Sequence, residues 1–471
     1  METLKRREFI KKSATATFGF TILPSYLTSA RAAGAPVPPS QRVNLACVGV
    51  GGRARSVIPS LVKAGYAQVV ALCDVDFEST ARGIKENLEA FPKAKQFQDF
   101  RVMLEKMGDD IDAVSIVTPD HTHFPAAMLA MSTGKHVYVE KPLTHNFEEA
   151  EQLMKAEKRF GVVTQMGNQG HTSAGHTQFQ QFVEAGITDD LNKMEVYKSA
   201  SLWFMKEGER ISQFPKKVEM PSTLDWEGWC GPRTKMPYNP LYQPFNWRGF
   251  YHYGCGMLGD WGCHLFDFPH HYLKLGLPAS IEPMRLDDHN QVIFPLTSHL
   301  KFQFPKRGRG LPAMEMIWRD GADCKPEIPE QYWDKKADGT PVAPSIGERA
   351  GSVLYRKNGD YAITRGSHGA VSRITPRDKM MEFKDSMRAS EPENDHATSF
   401  IEACRGNGTT NSPFSVAGEL TQVLNLGVIC QYLNTELKFN RKKKRFVGND
   451  EANAMLNPAP RKGWEEFYKM V

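Results

Sequence analysis

The sequence is short of most features that would mark a specialised chain. Only 8 of its 471 residues are cysteine, and no two stand in a CxxC pair. The usual spacing of a structural zinc site is therefore missing. Cys230, Cys255 and Cys263 lie close enough in sequence to cluster but do not supply that spacing, and no metal is expected. Charge of one sign is also scarce: 59 Lys and Arg against 54 Asp and Glu leave a net +5, with the basic residues scattered. That excludes the concentrated basic face a nucleic-acid partner requires. There is no low-complexity tract and no internal repeat. No apolar run has the length of a typical membrane span. What remains is an ordinary globular composition, 41% hydrophobic and 10% aromatic, in a chain long enough for two or three domains. The one dense basic run, Arg441 to Arg445, follows a predicted strand and reads as a solvated turn, with an anion or partner patch as the alternative.

Residues 1–32 read as a targeting segment. Lys5-Arg6-Arg7-Glu8-Phe9-Ile10 sets two arginines before an apolar pair. A weakly apolar stretch to Leu27 follows, then the small-x-small pattern Ala30-Arg31-Ala32. This resembles a twin-arginine export signal, which implies a periplasmic protein folded before transport; a disordered basic N-terminus is the alternative. Export in the folded state does not require the cysteines to be bridged, and Cys47 and Cys73 fall inside predicted buried strands.

From Arg42 onward short β-rich runs alternate with helical stretches. Strands are predicted at 43–48, 68–73, 112–117, 135–139 and 162–165, and helices at 53–64, 77–90, 125–132 and 147–159. The strand runs are apolar without alternation, as in strands buried on both faces of a parallel sheet. The pattern predicts an α/β fold, a doubly wound dinucleotide-binding domain over 40–167. An α+β domain with a mostly antiparallel open sheet is predicted over 168–440, then a tail over 441–471. Its strands are expected near 298–304, 314–318 and 353–355, and its helices near 396–404 and 417–433. Proline, glycine and tryptophan crowd residues 214–261, which predicts long ordered loops over a site.

Four motifs carry chemistry. Gly49-Val50-Gly51-Gly52-Arg53-Ala54 stands between the first strand and the first helix and reads G-x-G-x-x-A. Such a turn brings backbone N–H groups to a pyrophosphate at a helix N-terminus. Asp74 ends the second strand, where a carboxylate can accept from adenosine ribose hydroxyls and repel a 2′-phosphate; this favours NAD over NADP. Thr118-Pro119-Asp120-His121-Thr122-His123 and Glu140-Lys141-Pro142 each follow a strand, at the edge where open α/β sheets hold ligands. Gly259-Asp260-Trp261-Gly262-Cys263-His264, with Asp267 beyond, places Asp260 and His264 one helical turn apart. Each pattern alone also fits a structural reading: a glycine turn, a surface lysine, a helix cap with a half-buried histidine.

In this order the four motifs resemble the glucose–fructose oxidoreductase, inositol dehydrogenase and rhizopine catabolism family, abbreviated Gfo/Idh/MocA, over residues 42–464. The segments 395–406 and 414–427 are similar to the C-terminal domain of its exported bacterial branch. The resemblance implies a catalytic trio of Lys141, Asp260 and His264. It implies dinucleotide contacts at Gly49, Gly51, Gly52, Arg53, Asp74, Thr118, His123, Glu140 and Lys141. The aromatic region 203–250 is longer than in compact members, so substrate choice does not transfer. Trp203, Trp226, Trp229, Trp247 and Trp261 are candidates to stack on a sugar or simply to pack loops.

The expected reaction is hydride transfer between a sugar carbinol and NAD. His264 would serve as base, Lys141 would stabilise the developing alkoxide, and Asp260 would orient the sugar. Outside the cytoplasm the NAD would have to be tightly held and recycled. An NAD-dependent glycosidase that oxidises and eliminates transiently is the alternative. A sugar-binding protein without catalysis is a third, of another class. An exposed face of the second sheet would suit a homo-oligomer.

Overall fold

The apolar runs of the N-terminal half become one parallel sheet. The computed structural model describes residues 38–471, apart from 200–202, 205–209 and 387. The twin-arginine segment lies outside the described residues. Strands β1 (Val43–Val48), β2 (Ala67–Cys73), β3 (Lys95–Phe97), β4 (Ala113–Ile116), β5 (His136–Val139) and β6 (Thr164–Met166) assemble in the order β3-β2-β1-β4-β5-β6. That is the doubly wound dinucleotide-binding order; all six strands run parallel, and the order of winding reverses between β1 and β4. Helices α1 (Ala54–Val62), α2 (Ile84–Ala90), α3 (Phe100–Met107), α4 (Asp120–Ser132) and α5 (Phe147–Phe160) join the strands. Asn146 caps α5 by accepting from the Glu149 N–H, and Gly161 ends it at φ +62°.

Three local expectations are corrected. The helix expected over 77–90 begins only at Ile84, because Gly83 sits at φ 100° and the residues before it form turns. Helix α4 starts at Asp120, a turn and a half before Pro125; the ring is carried inside the helix and leaves the His121 carbonyl without its usual N–H donor. Strand β3 and helix α3 were not expected: β3 has only three residues, and α3 is announced mainly by its cap, Asp99, which accepts from the Arg101 N–H.

The second half forms a nine-stranded sheet. Its strands are β7 (Leu191–Ser199), β8 (Ser280–Asp287), β9 (Thr297–Phe304), β10 (Met314–Gly321), β11 (Ala350–Arg356), β12 (Ala362–Arg365), β13 (Ser372–Thr375), β14 (Leu437–Asn440) and β15 (Arg445–Phe446). They lie in the order β13-β12-β11-β7-β10-β9-β8-β14-β15, antiparallel except for the β7–β10 pair. Helix α6 (Ala174–Glu184) precedes β7, and α7 (Trp226–Cys230), α8 (Gly256–Leu265) and α9 (Asp267–Tyr272) lie between β7 and β8. Helix α12 (Phe414–Leu433), which follows α10 (Arg377–Glu382) and α11 (His396–Cys404), is apolar and buried almost all round. It packs against α5 on one side and α8 on the other, so it cements the two sheets. The opposite face of the sheet carries ion pairs, Glu195 with Lys193 (3.1 Å) and Arg319 (3.2 Å), beside a small apolar cluster of Tyr197, Tyr332, Val353 and Tyr355.

Residues 441–471 are built into the molecule. The basic run turns between β14 and β15, and Lys444 pairs with Glu151 of α5. Beyond it Trp464 and Phe467 bury against Phe100, and the Tyr468 hydroxyl donates to Glu149 (2.6 Å). All eight cysteines are free thiols. No helix among the described residues is long and apolar enough to cross a membrane.

Candidate active site

The glycine turn is fixed by groups at the ends of β2 and β4 and on α2. Gly49 donates to the Cys73 carbonyl (2.8 Å) and sits at φ +80°. A Cβ there would come within 2.6 Å of the Val117 carbonyl oxygen, so only glycine lets β1 leave the sheet so close to β4. Val50 donates to Asp74 Oδ2 (2.8 Å), and the buried Asn87 side chain donates to the Val50 carbonyl (2.8 Å). Ala54 is fully buried, which seats α1 on the sheet. The turn opens onto a cavity of about 810 Å³, also lined by Gly51, Gly52, Arg53, Asp74, Thr118, Glu140 and Lys141. Asp74 thus reaches the cavity wall, but both its oxygens already accept backbone N–H groups, Oδ1 that of Asp76 (3.2 Å). Asp76, which lies outside the four motifs, lines the same wall.

The far end of the cavity gathers Lys141, Asp260 and His264. Lys141 leaves the end of β5 and crosses to α8, where its Nζ donates to the Asp260 carbonyl (2.9 Å) and to its carboxylate. Asp260 and His264 share one face of α8, as their spacing predicts, although the helix begins at Gly256 and Asp260 lies inside it rather than at its cap. Gly262 explains why α8 can sit so deep: a Cβ would fall 2.5 Å from a Leu424 methyl of α12. Burial acts to push the Asp260 carboxyl up, but Lys141 and then Arg248, whose Nε is 3.8 Å away, more than offset it and hold it below the ordinary range. Burial, reinforced by the Lys141 charge, holds His264 well below an ordinary imidazole, so it stays neutral. Its Nδ1 has no hydrogen-bond partner.

Glu140 lines the cavity and takes Arg53 Nε at 3.4 Å. Its carboxylate lies so close to Gly167 that a Cβ there would approach Oε1 to 2.7 Å. His123 does not reach the cavity, contrary to the expected dinucleotide contact. Its ring is buried, with Nδ1 2.8 Å from the Pro142 carbonyl and Nε2 2.9 Å from the Thr118 carbonyl, so it ties two cavity-lining turns together. His121 does the same for the loops, between the carbonyls of Trp229 (2.7 Å) and Tyr253 (3.1 Å). Of the five tryptophans, Trp229 and Trp247 line the cavity; Trp226 stacks on Trp229 at 4.5 Å, and Trp203 is buried.

Three further residues face the cavity: Asp120 belongs to the 118–123 motif but was given no role there, while Arg248 and His368 stand outside every motif. Asp120 accepts from the Cys255 N–H (3.0 Å), and burial raises its carboxyl to about 7 despite Arg248. Arg248 lies over the Trp247 ring at 4.2 Å. His368 comes from the turn between β12 and β13, far along the chain. Among the described residues no three His, Cys, Asp or Glu side chains are placed to hold a metal ion.

The aromatic loops close the other end. Gly228 and Trp229 of α7 form cavity wall beside Val75, Gln98 and Phe100, at the acidic end of β2. Asp225 donates its N–H to the Val75 carbonyl (2.9 Å), and Gln98 donates to the Thr223 carbonyl (2.9 Å). Arg461 fastens α7 from behind, donating to the carbonyls of Gly231 (2.7 Å) and Glu227 (3.0 Å).

A doubly wound sheet with a glycine turn at its switch point, opening onto a cavity ended by lysine, aspartate and histidine, defines a nicotinamide-dinucleotide oxidoreductase fold. Residues 43–168 match the oxidoreductase family with NAD-binding Rossmann fold, and residues 174–290 and 354–466 match its C-terminal alpha/beta domain. The chain belongs to the Gfo/Idh/MocA oxidoreductase family, and its dinucleotide is NAD.

A glycosyl hydrolase family 109 protein of Shewanella pealeana is 27% identical over 43% of this chain and 48% of its own length. An alpha-N-acetylgalactosaminidase of Shewanella oneidensis is 26% identical over 44% of this chain and 49% of its own. The chain thus spans about half the length of these curated relatives or less. Among solved structures, the WlbA dehydrogenase of Chromobacterium violaceum, crystallised with NADH and UDP-GlcNAcA, shares the fold. Its TM-score is 0.53 at 15% identity, covering 86% of this chain and 98% of that one.

Proposed function

We propose that the protein transfers hydride between NAD and a carbinol carbon of a sugar or glycoside, holding and recycling one NAD per active site. The observation that carries this reading is the convergence of Lys141, Asp260 and His264 at one end of the cavity that the glycine turn opens. NAD supplies a hydride acceptor that can return what it takes. Gly49, Gly51 and the N-terminus of α1 fit the pyrophosphate, and Asp74 and Asp76 fit the adenosine ribose.

The chain's own residues then handle the proton and the charge. His264, neutral and without a partner on Nδ1, accepts the proton of the sugar hydroxyl. Lys141 stabilises the oxyanion as it forms. Asp260 fixes the ammonium of Lys141 and leaves an oxygen for a neighbouring sugar hydroxyl. Asp120, with its carboxyl near 7, is a reserve acid or base within the same wall. The wall built by α7 supports retention of the dinucleotide, since it covers the end where the adenosine would leave.

A retained dinucleotide requires redox balance inside the site. One solution oxidises one sugar and reduces a second. The other oxidises a glycoside transiently, so that the new carbonyl acidifies the adjacent C–H, the aglycone leaves by elimination, water adds and the hydride returns. The names of the curated relatives favour this second reading. The test is to purify the protein, release and identify its dinucleotide, and supply 4-nitrophenyl α-N-acetylgalactosaminide or free aldoses. Nitrophenol release without net nicotinamide absorbance change supports glycoside cleavage; a stable keto-sugar or lactone supports oxidoreduction. A protein that holds NAD and binds sugars but neither releases nitrophenol nor changes nicotinamide absorbance would defeat both.

A further inference from the structure

His264 is only 4% exposed. A base so enclosed, accepting a proton in each turnover, needs a group that hands the proton on. The ring of His368 lies over the ring of His264, with centroids 4.0 Å apart and planes 27° from parallel. It meets Trp261 edge-on at 5.2 Å. Unlike His264, His368 is exposed, and its Nδ1 lies 2.9 Å from the Ser367 hydroxyl.

The backbone is built to keep it there. His368 sits at φ +55°, a left-handed conformation unfavourable for a residue with a Cβ. The next residue is pinned: the Gly369 carbonyl accepts from Gly175 N–H (3.1 Å) and from the Ser173 hydroxyl (3.1 Å). The fit is backbone against backbone, since a Cβ on Gly170 would come 2.7 Å from the His368 carbonyl carbon. The exposed imidazole contributes little to a core, so packing does not account for this strained placement.

We infer that His368 is the proton-relay partner of His264: the two stacked imidazoles share one proton, collected at the enclosed ring and released to water from the exposed one. This rests on the reading of His264 as the base. The substrate O–H breaks as an N–H forms on His264. That N–H breaks as one forms on His368, through a bridging water because stacked rings do not point their nitrogens at each other. His368 then gives the proton to bulk water. No electrons are exchanged in the relay. His368 acts through His264, so it is a positioning residue. Facing His264 are Lys141, His368, Arg53 and His396; facing His368 are Lys141, Arg53, Asp260 and Asp267. Burial and the Lys141 charge lower both imidazoles, and proton uptake by either ring disfavours it on the other.

The experiment uses NAD-loaded protein carrying His368→Asn or His368→Gly, since both residues tolerate the left-handed backbone and should fold at least as well as the original. Imidazole NMR titration of His264 should show its midpoint moving to higher pH in both variants. With 4-nitrophenyl α-N-acetylgalactosaminide as probe, turnover should fall about 10²-fold, the acid limb of the rate profile should move up in pH, and free imidazole should restore rate to His368→Gly. An unmoved His264 midpoint overturns the relay, whatever the turnover. If the unaltered protein acts on neither this probe nor free sugars, the functional reading fails and the titration alone decides the pairing of the rings. Turnover unchanged by either substitution would also overturn it.

Discussion

Lys141 has its Nζ on both the carbonyl and the carboxylate of one residue, Asp260, so its charge is aimed rather than free. Replacing it by Met keeps the stem and removes the ammonium. We expect Lys141→Met to lower turnover ~10²–10⁴-fold with circular dichroism and bound dinucleotide little changed; near-normal turnover would remove Lys141 from the trio. Asp120 makes a different prediction, in stability. Its folded carboxyl titrates near 7, above its ordinary value of 3.8, because burial disfavours the charge. Below pH 3.8 both states are protonated. As pH rises the unfolded carboxyl ionises first, so stability from this group is lost progressively until the folded carboxyl ionises near 7. Asp120→Asn keeps an acceptor for the Cys255 N–H and should abolish that loss. At pH 8 the variant should be the more stable by ~2–4 kcal/mol in denaturant titration, with the gap vanishing by pH 4.

Elements differ in how much of themselves they write into the sequence. Strands β1, β2, β4 and β5 were legible because each is a continuous apolar run between turn residues, and the helix at 396–404 because Asp395 caps it and its apolar positions recur. Lys141, Asp260 and His264 were legible because they sit in motifs with fixed spacing at strand ends and on one helix face. Strand β3 was not, since Lys95 and Gln96 point outward and leave no pattern. His123 was misplaced for a related reason: a histidine in a ligand-edge motif looks the same whether its ring faces the cavity or two carbonyls beneath it. Arg248 and His368 reach the cavity by tertiary folding alone, whereas Asp120 lies within the 118–123 motif, which does not say which of its side chains faces inward. Close approach of elements is equally silent. Gly262 reads as one more residue of α8, yet it faces Leu424 with no room for a methyl group. Gly262→Val should therefore cost ~1–3 kcal/mol by overpacking and displace His264, read as a lower melting temperature together with lost turnover.

Across the whole molecule, the last thirty residues matter more than a tail would. Arg461 clamps α7, and Trp464, Phe467 and Tyr468 fix the same segment to α3, α4 and α5. Loosening that clamp should release the dinucleotide rather than unfold the protein. Arg461→Ala is expected to speed NAD dissociation about 10-fold or more, as hydrogen bonds from a charged donor are worth ~1.5–3 kcal/mol, measured by dilution of the loaded protein into NAD-free buffer. Equal retention in the two proteins would show that α7 is not the latch.

Helix α7 walls one end of the cavity, while exposed Phe245 and His368 border the other. Reactants and products that use the opening beside these two residues pass through it in turn. For an enzyme that oxidises one sugar and reduces another, the first must be gone before the second arrives, so initial rates at several co-substrate levels should give parallel reciprocal plots. Intersecting lines would mean that the two meet inside.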